Sequence, residues 1–129
     1  MIKIITGVLL FSASLLALNW VKDFDSALVA AQKEHKNIMV MVEGSHCRWC
    51  KKMKLQTLSD KSIEKKLETF VVVKVMREDD ITMTKLPHVH GVPTIFFMKY
   101  DKTILEEVVG YFGVQDFIST INDVEKKVK

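Results

Sequence analysis

The tetrapeptide Cys47-Arg48-Trp49-Cys50 decides the fold, because it stands where an apolar run gives way to a helix-prone run. The apolar run, Ile38-Met39-Val40-Met41-Val42, predicts a buried strand, and the run Lys51-Lys52-Met53-Lys54-Leu55 predicts a helix. Two cysteines that open a helix shortly after a strand are typical of a redox-active pair. The sequence therefore predicts exchange between a dithiol and a disulfide as the chemistry of this chain.

The spacing of the two cysteines predicts different roles for them. The thiolate is the reactive form of cysteine, and a free thiol with a pKa of about 8.5 supplies little of it at neutral pH. At the first turn of a helix, unpaired N–H groups and the positive end of the helix dipole stabilise an anion, and Arg48, Lys51 and Lys52 add positive charge. We therefore expect Cys47 to be the exposed nucleophile and Cys50, one turn further along, to be the resolving thiol.

The cysteine pair, His46 and Trp49 each allow two interpretations. The pair itself could be a structural disulfide, but a crosslink over so few residues removes little entropy from the unfolded chain. His46, when protonated, would lower the pKa of the Cys47 thiol, or it is simply a solvated loop histidine. Trp49 either presents an aromatic face to substrates or packs against the domain.

Length and composition indicate a single globular domain. The chain has 129 residues, of which 48% are hydrophobic and 27% charged, so it can build one core but not comfortably two domains. Its 19 basic and 16 acidic residues give a formal net charge of +3 without a basic stripe. A nucleic acid is therefore not expected as a partner.

The first residues have the pattern of a targeting segment. Lys3 precedes an apolar run that reaches Leu18, which predicts a secretory signal peptide over residues 1–18 and a domain over residues 19–129. The run falls short of the roughly 20 apolar residues of a membrane span, and an uncleaved anchor is the alternative. Either way the domain is expected in an exported compartment, a bacterial periplasm. There, a protein with a single cysteine pair is expected to exchange disulfides rather than to be stabilised by one.

Hydrophobic periodicity predicts the other elements. A helix that buries Phe24, Ala27, Leu28 and Ala31 begins after Asp23, and Pro87 would stop any helix in the poorly patterned residues 76–86. Further helices are expected at residues 47–58, 59–68 and from 114 onward, and strands at residues 38–42, 70–75, 94–98 and 104–109. This order predicts an α/β domain with a central mixed four-stranded sheet, helices on both faces and an N-terminal helix before it.

With these elements in place, the chain resembles the thioredoxin-like superfamily. The matching features are the C-x-x-C pair at a strand-to-helix junction and Gly91-Val92-Pro93-Thr94 at the start of the third strand. The resemblance covers the chain from about Asp23 onward and implies a thioredoxin-like fold in which Pro93 is cis and lies beside Cys47. Such a proline would turn the backbone of Val92 and Thr94 toward an extended substrate.

The centre is similar, more narrowly, to exported C-x-W-C proteins related to reductase domains that take electrons from membrane thiol transporters. That resemblance implies a thiol–disulfide oxidoreductase that acts on exported proteins and needs no cofactor beyond the Cys47–Cys50 disulfide. Reduction is the favoured direction, and oxidation or isomerisation is the alternative. A membrane thiol–disulfide protein is the expected electron donor, and the protein is expected to be a monomer.

The sequence also departs from thioredoxins proper. His46 stands in place of a tryptophan, Arg48-Trp49 replaces Gly-Pro, and Met41 occupies the position of a buried aspartate. The usual proton relay is therefore expected to be missing unless Glu43 points inward. The long helix that normally precedes the cis proline is expected to be shortened or lost.

A metal-binding protein is the alternative from another class. Cys47, Cys50 and one of His88 and His90 could form a site for Cu(I) or Zn(II). Alternate residues of an extended loop point opposite ways, so only one of the two histidines is expected to face the cysteines. An enzyme without bound metal is the favoured prediction.

Overall fold

The computed structural model describes residues 17–128 and confirms the predicted α/β class, with a mixed four-stranded sheet preceded by a helix. The elements in chain order are α1 (Phe24–Glu34), β1 (Asn37–Glu43), α2 (Arg48–Lys52), a π-helical segment (Met53–Thr57), α3 (Lys61–Leu67), β2 (Phe70–Met76), α4 (Asp80–Met83), β3 (Thr94–Met98), β4 (Ile104–Val109) and α5 (Val114–Lys127).

The sheet has the strand order β2-β1-β3-β4, so the strand that leads into the cysteine pair lies inside it. β1 runs parallel to β2, with Asn37 opposite Phe70, and antiparallel to β3, with Val40 opposite Phe96. β4 pairs antiparallel with β3 and forms one edge. At the other edge, Val21 forms a parallel bridge to Val73 of β2.

The sheet separates two apolar cores, since successive side chains of a strand point to opposite faces. The site-side core contains Met39 and Met41 of β1 together with Cys50, and it is completed by Met53, Leu58, Ile63, Leu67, Phe70, Val72, Ile95, Phe97, Val108, Phe117, Ile121 and Val124. The far-side core contains Ile38, Val40 and Val42 of β1 and is completed by Phe24, Ala27, Ala31, Val71, Val73, Val75, Phe96 and Met98. Burial of β1 on both faces explains its unbroken apolar sequence.

Aspartates fix where three helices begin. The carboxylates of Asp23, Asp60 and Asp79 accept backbone N–H groups at the starts of α1, α3 and α4. Hydrogen bonds from hydroxyl residues two or three positions later are the main cause that lowers the pKa of each carboxyl. The ionised carboxylates complement the positive helix ends.

Two stretches differ from, or refine, the sequence prediction. The helix expected at residues 47–58 changes to π-helical pairing at Met53, where the N–H of Leu58 donates to the carbonyl of Met53. Of the poorly patterned residues 76–86, Met76 ends β2 and the rest contain only the short α4, which Asp79 starts. The long helix before Pro93 is thus shortened, as the sequence predicted.

The predicted signal peptide or anchor, residues 1–18, lies outside the described residues apart from its last two. Among the helices between residues 17 and 128, none combines the length and apolar character that a membrane span requires.

Candidate active site

Cys47 and Cys50 form a disulfide at the junction between β1 and α2. Their Sγ atoms are 2.10 Å apart and their Cα atoms 5.2 Å apart. Cys47 is the N-cap residue of α2, and its Sγ accepts a hydrogen bond of 3.1 Å from the N–H of Cys50. Cys47 is half-buried, whereas Cys50 is 1% exposed and belongs to the site-side core. The pair is therefore asymmetric, with one sulfur near the surface and the other behind it.

An open groove runs past the half-buried sulfur. It is lined by the loop after β1, the start of α2, the loop after β2 and the residue before the proline: Gly44, Ser45, His46, Cys47, Arg48, Trp49, Arg77, Glu78 and Val92. One oxygen of Glu78 accepts bonds from the N–H of Ser45 at 3.1 Å and from its hydroxyl at 3.2 Å. The Ser45 N–H bond is the main cause that lowers the pKa of Glu78. An ionised carboxylate thus holds the loop that carries His46.

Aromatic and basic side chains form the rim on the α2 side of the pair. The indole of Trp49 is 48% exposed, and its centroid lies 5.8 Å from that of the Tyr111 ring. The ammonium of Lys52 lies 4.9 Å from the Trp49 centroid and 4.6 Å from that of Tyr111. The ring of Trp49 therefore packs on Tyr111 and still faces solvent, and its contact with substrates stays a prediction.

The proline loop contributes backbone to the groove. The Val92–Pro93 peptide bond is cis, and Pro93 is buried with its carbonyl accepting the N–H of Gly110 at 2.8 Å. Val92 is half-buried and lines the groove together with Cys47. The side chain of Thr94 is fully buried, and its hydroxyl donates to the carbonyl of Gly91 at 2.6 Å. The side chain of Thr94 is therefore not accessible to a substrate, and a contact through its backbone stays a prediction.

At the end of β1, a carboxylate does point inward. Met41 is fully buried, and Glu43, two residues later on the same face of β1, has a side chain only 13% exposed. One oxygen of Glu43 meets the ammonium of Lys54 at 2.9 Å. Its second oxygen is buried and has no hydrogen-bond partner. Met41 thus makes the position of the expected aspartate apolar, and the ion pair of Glu43 with Lys54 lies two residues further along β1.

The two loop histidines lie against each other. The ring centroids of His88 and His90 are 4.7 Å apart in an edge-to-face arrangement, and both residues are exposed. The expectation that they point opposite ways is therefore wrong, because residues two apart in an extended segment lie on the same side and only successive residues alternate. Within residues 17–128, no group of three or more His, Cys, Asp or Glu side chains is arranged to hold a metal ion.

The other predicted residues lie at the surface around the pair. His46, Arg48 and Lys51 are exposed, and the first two line the groove. Sequence reasoning missed Tyr111 and Glu78. Tyr111 follows Gly110, and Glu78 sits in an acidic and basic cluster that is usually a solvated turn, so neither pattern indicated a place beside the cysteines.

These features define a class. The family sequence model described as a thioredoxin-like domain matches residues 24–125, so the chain belongs to that family. Among solved structures, it is similar to one described as a DsbH oxidoreductase, with a TM-score of 0.73, 22% identity and 85% of each chain covered. It is also similar to a thioredoxin from Thermus thermophilus, with a TM-score of 0.70, 25% identity and coverage of 84% of this chain and 87% of that one.

A third similar structure is the C-terminal domain of DsbD from Neisseria meningitidis in its oxidised form. Its TM-score is 0.62 at 23% identity, and the match covers 76% of this chain and 90% of that domain. No curated protein sequence matches the chain at a significant level. A thioredoxin-like fold with a C-x-x-C disulfide at this junction supports thiol–disulfide oxidoreductase activity.

Proposed function

We propose that the protein is an exported thiol–disulfide oxidoreductase that reduces disulfides of exported proteins through Cys47 and Cys50. The observation that carries the proposal is the position of the Cys47 sulfur, which caps α2 and accepts the N–H of Cys50. In the oxidised protein that acceptor is a disulfide sulfur. After reduction, the same N–H group would donate to the Cys47 thiolate, which favours the anion at neutral pH.

The reaction follows from the asymmetry of the pair. The Cys47 thiolate attacks one sulfur of a substrate disulfide, a mixed disulfide forms, and the other substrate sulfur leaves and takes up a proton. Cys50 then loses its proton and attacks the Cys47 sulfur, which releases the second substrate thiol. Two electrons and two protons pass to the substrate, and the Cys47–Cys50 disulfide is left for an external dithiol to reduce.

The proline loop supports a role in holding an extended substrate. Within residues 17–128, neither the N–H nor the carbonyl of Val92 takes part in a backbone hydrogen bond. Because Val92 lines the groove with Cys47, these groups can pair with a substrate backbone beside the attacked sulfur. Pro93 is assigned the positioning of this segment, and His46, Arg48 and Lys51 are assigned the stabilisation of the thiolate.

The direction, compartment and partners are parts of the same proposal. The apolar N-terminal run supports export to a periplasm, and the single cysteine pair supports exchange in an oxidising compartment. A membrane thiol–disulfide protein is proposed as the electron donor to a monomeric enzyme. No cofactor is assigned beyond the disulfide.

Trapping tests the roles of the two cysteines. In a Cys50→Ser variant, the mixed disulfide cannot be resolved, so substrates should accumulate on Cys47 and appear as adducts on nonreducing gels and by mass spectrometry. A Cys47→Ser variant, treated identically, is the matched control and should collect far fewer adducts because Cys50 is buried. Stronger trapping by Cys50 would reverse the assignment.

The reduction potential of the pair tests the direction. A value close to the roughly −270 mV of thioredoxin is expected for a reductase, whereas a value close to roughly −120 mV belongs to a strong oxidant. Equilibration of the full chain with glutathione or dithiothreitol buffers gives this number. A strongly oxidising value would replace the reductase assignment with the oxidase or isomerase alternative.

A further inference from the structure

The segment that carries the cysteine pair has an unbalanced charge. From Gly44 to Ser59 the chain contains no acidic residue, while four basic residues, Arg48, Lys51, Lys52 and Lys54, lie among them. Lys54 is neutralised by Glu43. Among residues 17–128, no acidic side chain forms an ion pair with the other three. These three cations lie next to the cysteines in the sequence, and Arg48 lines the same groove as Cys47.

A second loop adds to this charge. Arg77, which follows β2, lines the same groove as Cys47 and Arg48. Glu78 is the only acidic residue among the described residues that line the groove, and one of its oxygens is engaged by Ser45. The positive charge of Arg77 contributes to lowering the pKa of Glu78 after the bonds from Ser45, so Glu78 offsets part of the charge of Arg77. We call Arg48, Lys51, Lys52 and Arg77 the basic rim.

Two members of the basic rim are held in place by aromatic rings. The Lys52 ammonium lies within 5 Å of the centroids of both Trp49 and Tyr111, at 4.9 and 4.6 Å. The guanidinium carbon of Arg48 lies 5.9 Å from the Trp49 centroid. A cation over an aromatic face is attracted by the ring quadrupole and keeps its polar hydrogens free for another acceptor. These cations therefore need little further ordering to meet a carboxylate.

We propose that the basic rim docks an acidic segment of the redox partner, with glutamate or aspartate residues next to the partner's cysteine pair. The inference rests on the proposed function, since Arg48 and Arg77 line the groove of Cys47, the sulfur that would exchange, and Lys51 and Lys52 directly follow Cys50 in the sequence. Complementary charge raises the rate of encounter and fixes orientation more than it raises affinity. The rim thus selects among disulfides by the charge of their neighbours.

Synthetic peptides test this selection. Three peptides share one intramolecular disulfide and differ only in flanking residues, which are glutamate, glutamine or lysine. The rate constant for their reduction by the reduced full chain is divided by the rate constant with 2-mercaptoethanol, which carries no charge besides that of its reacting thiolate. This division removes the intrinsic reactivity of each peptide toward a thiolate. At low ionic strength we expect the glutamate peptide to be reduced about tenfold faster than the glutamine peptide, and the lysine peptide more slowly than both.

Salt and two variants give independent measurements. At an ionic strength of about 1 M, where the Debye length is about 3 Å, the preference for the glutamate peptide should largely vanish. Lys52→Gln and Arg48→Gln should each lower the ratio of the glutamate to the glutamine rate roughly threefold. Because each variant is compared with itself on two peptides, a change in thiolate reactivity cancels. The control is Lys33→Gln. Lys33 is exposed on α1, which packs on the far side of the sheet, so this variant loses the same charge and should keep the wild-type ratio.

The outcomes separate this proposal from the proposed function. Equal normalised rates for the three peptides, or a preference for the lysine peptide, would overturn the docking proposal while leaving the exchange reaction intact. Failure to reduce any of the three peptides would instead overturn the function. Binding of the full chain to vesicles that contain phosphatidylglycerol, if Arg48→Gln and Lys52→Gln weaken it and no preference among the peptides is seen, would assign the rim to a membrane surface and also overturn the proposal.

Discussion

At the scale of single residues, Glu78 is the side chain whose ionisation most directly shapes the groove. The hydrogen bond from the Ser45 N–H is the main cause that lowers its pKa below the ordinary 4.5. A group whose pKa is lower in the folded than in the unfolded protein stabilises the fold above the unfolded value, and that contribution is lost as the pH falls through the folded value. The ionised Glu78 therefore stabilises the loop at neutral pH.

We predict that Glu78→Gln slightly lowers the free energy of unfolding at pH 7. The glutamine oxygen is uncharged, so it accepts a weaker hydrogen bond from Ser45 than the carboxylate does. The gap from the wild type should begin to close below about pH 4.5 and shrink as the pH falls through the lowered pKa. Urea unfolding of the oxidised protein at several pH values measures it. Glu107→Gln on β4 carries the same change of charge at an exposed site and is the control. A gap that is constant from pH 7 to pH 3 would contradict the prediction.

The same scale shows what the sequence could and could not predict about the site. Cys47 and Cys50 were predicted because a C-x-x-C motif is local, so the sequence alone shows that the two thiols are close enough to form a disulfide. Glu78 reaches Ser45 across 33 positions of sequence, and Tyr111 reaches Trp49 from the loop before α5. Such contacts depend on how the elements are arranged in space, so the residues next to Glu78 or Tyr111 in the sequence do not predict them.

At the scale of elements, the ion pair between Glu43 and Lys54 joins the end of β1 to the π-helical segment. The two atoms are 2.9 Å apart, and the side chains are 13% and 29% exposed. Because the second oxygen of Glu43 is buried without a partner, the carboxylate depends on this one ammonium. A buried charge without its partner costs more than the pair contributes.

We predict that Lys54→Met lowers the free energy of unfolding by about 1–3 kcal/mol, since it leaves a mostly buried carboxylate without a partner. Replacing both residues, in Glu43→Met with Lys54→Met, should recover most of that loss because no charge remains to desolvate. Urea unfolding of the wild type, both single variants and the double variant gives the coupling energy. A double variant as unstable as the sum of the single ones would show that the two residues act independently.

The elements themselves were largely readable from the sequence. β3 and β4 have the predicted bounds, and β1 and β2 are longer by one or two residues, because alternating or continuous apolar patterns report burial directly. The π-helical pairing at Met53–Thr57 was not predicted. Thr57 is fully buried, and its hydroxyl donates to the carbonyl of Phe112 at 2.7 Å. This tertiary contact with the loop before α5 has no local signature.

At the scale of the whole molecule, the sheet divides the protein into a core that contains a reactive sulfur and a core that does not. Phe96 and Phe97 are neighbours in β3, are both fully buried and point to opposite sides. Phe97 contacts Phe70 and Phe117, with centroids 5.4 and 5.9 Å away, in the core that holds Cys50. The sequence predicted the strand at residues 94–98, but only the folded sheet assigns Phe97 to the side of the cysteine.

We predict that Phe97→Leu and Phe96→Leu each lower the free energy of unfolding by about 1–2 kcal/mol, because each leaves an underfilled core. Only Phe97→Leu should also speed the alkylation of Cys50 by iodoacetamide in the reduced protein, since looser packing of the site-side core lets the reagent reach a sulfur that is 1% exposed in the oxidised protein. Mass spectrometry of the alkylated peptides follows this rate, and Phe96→Leu is the matched control for stability. Equal acceleration in both variants would mean that packing on the far side also governs access to Cys50, so that the sheet does not isolate the two cores from each other.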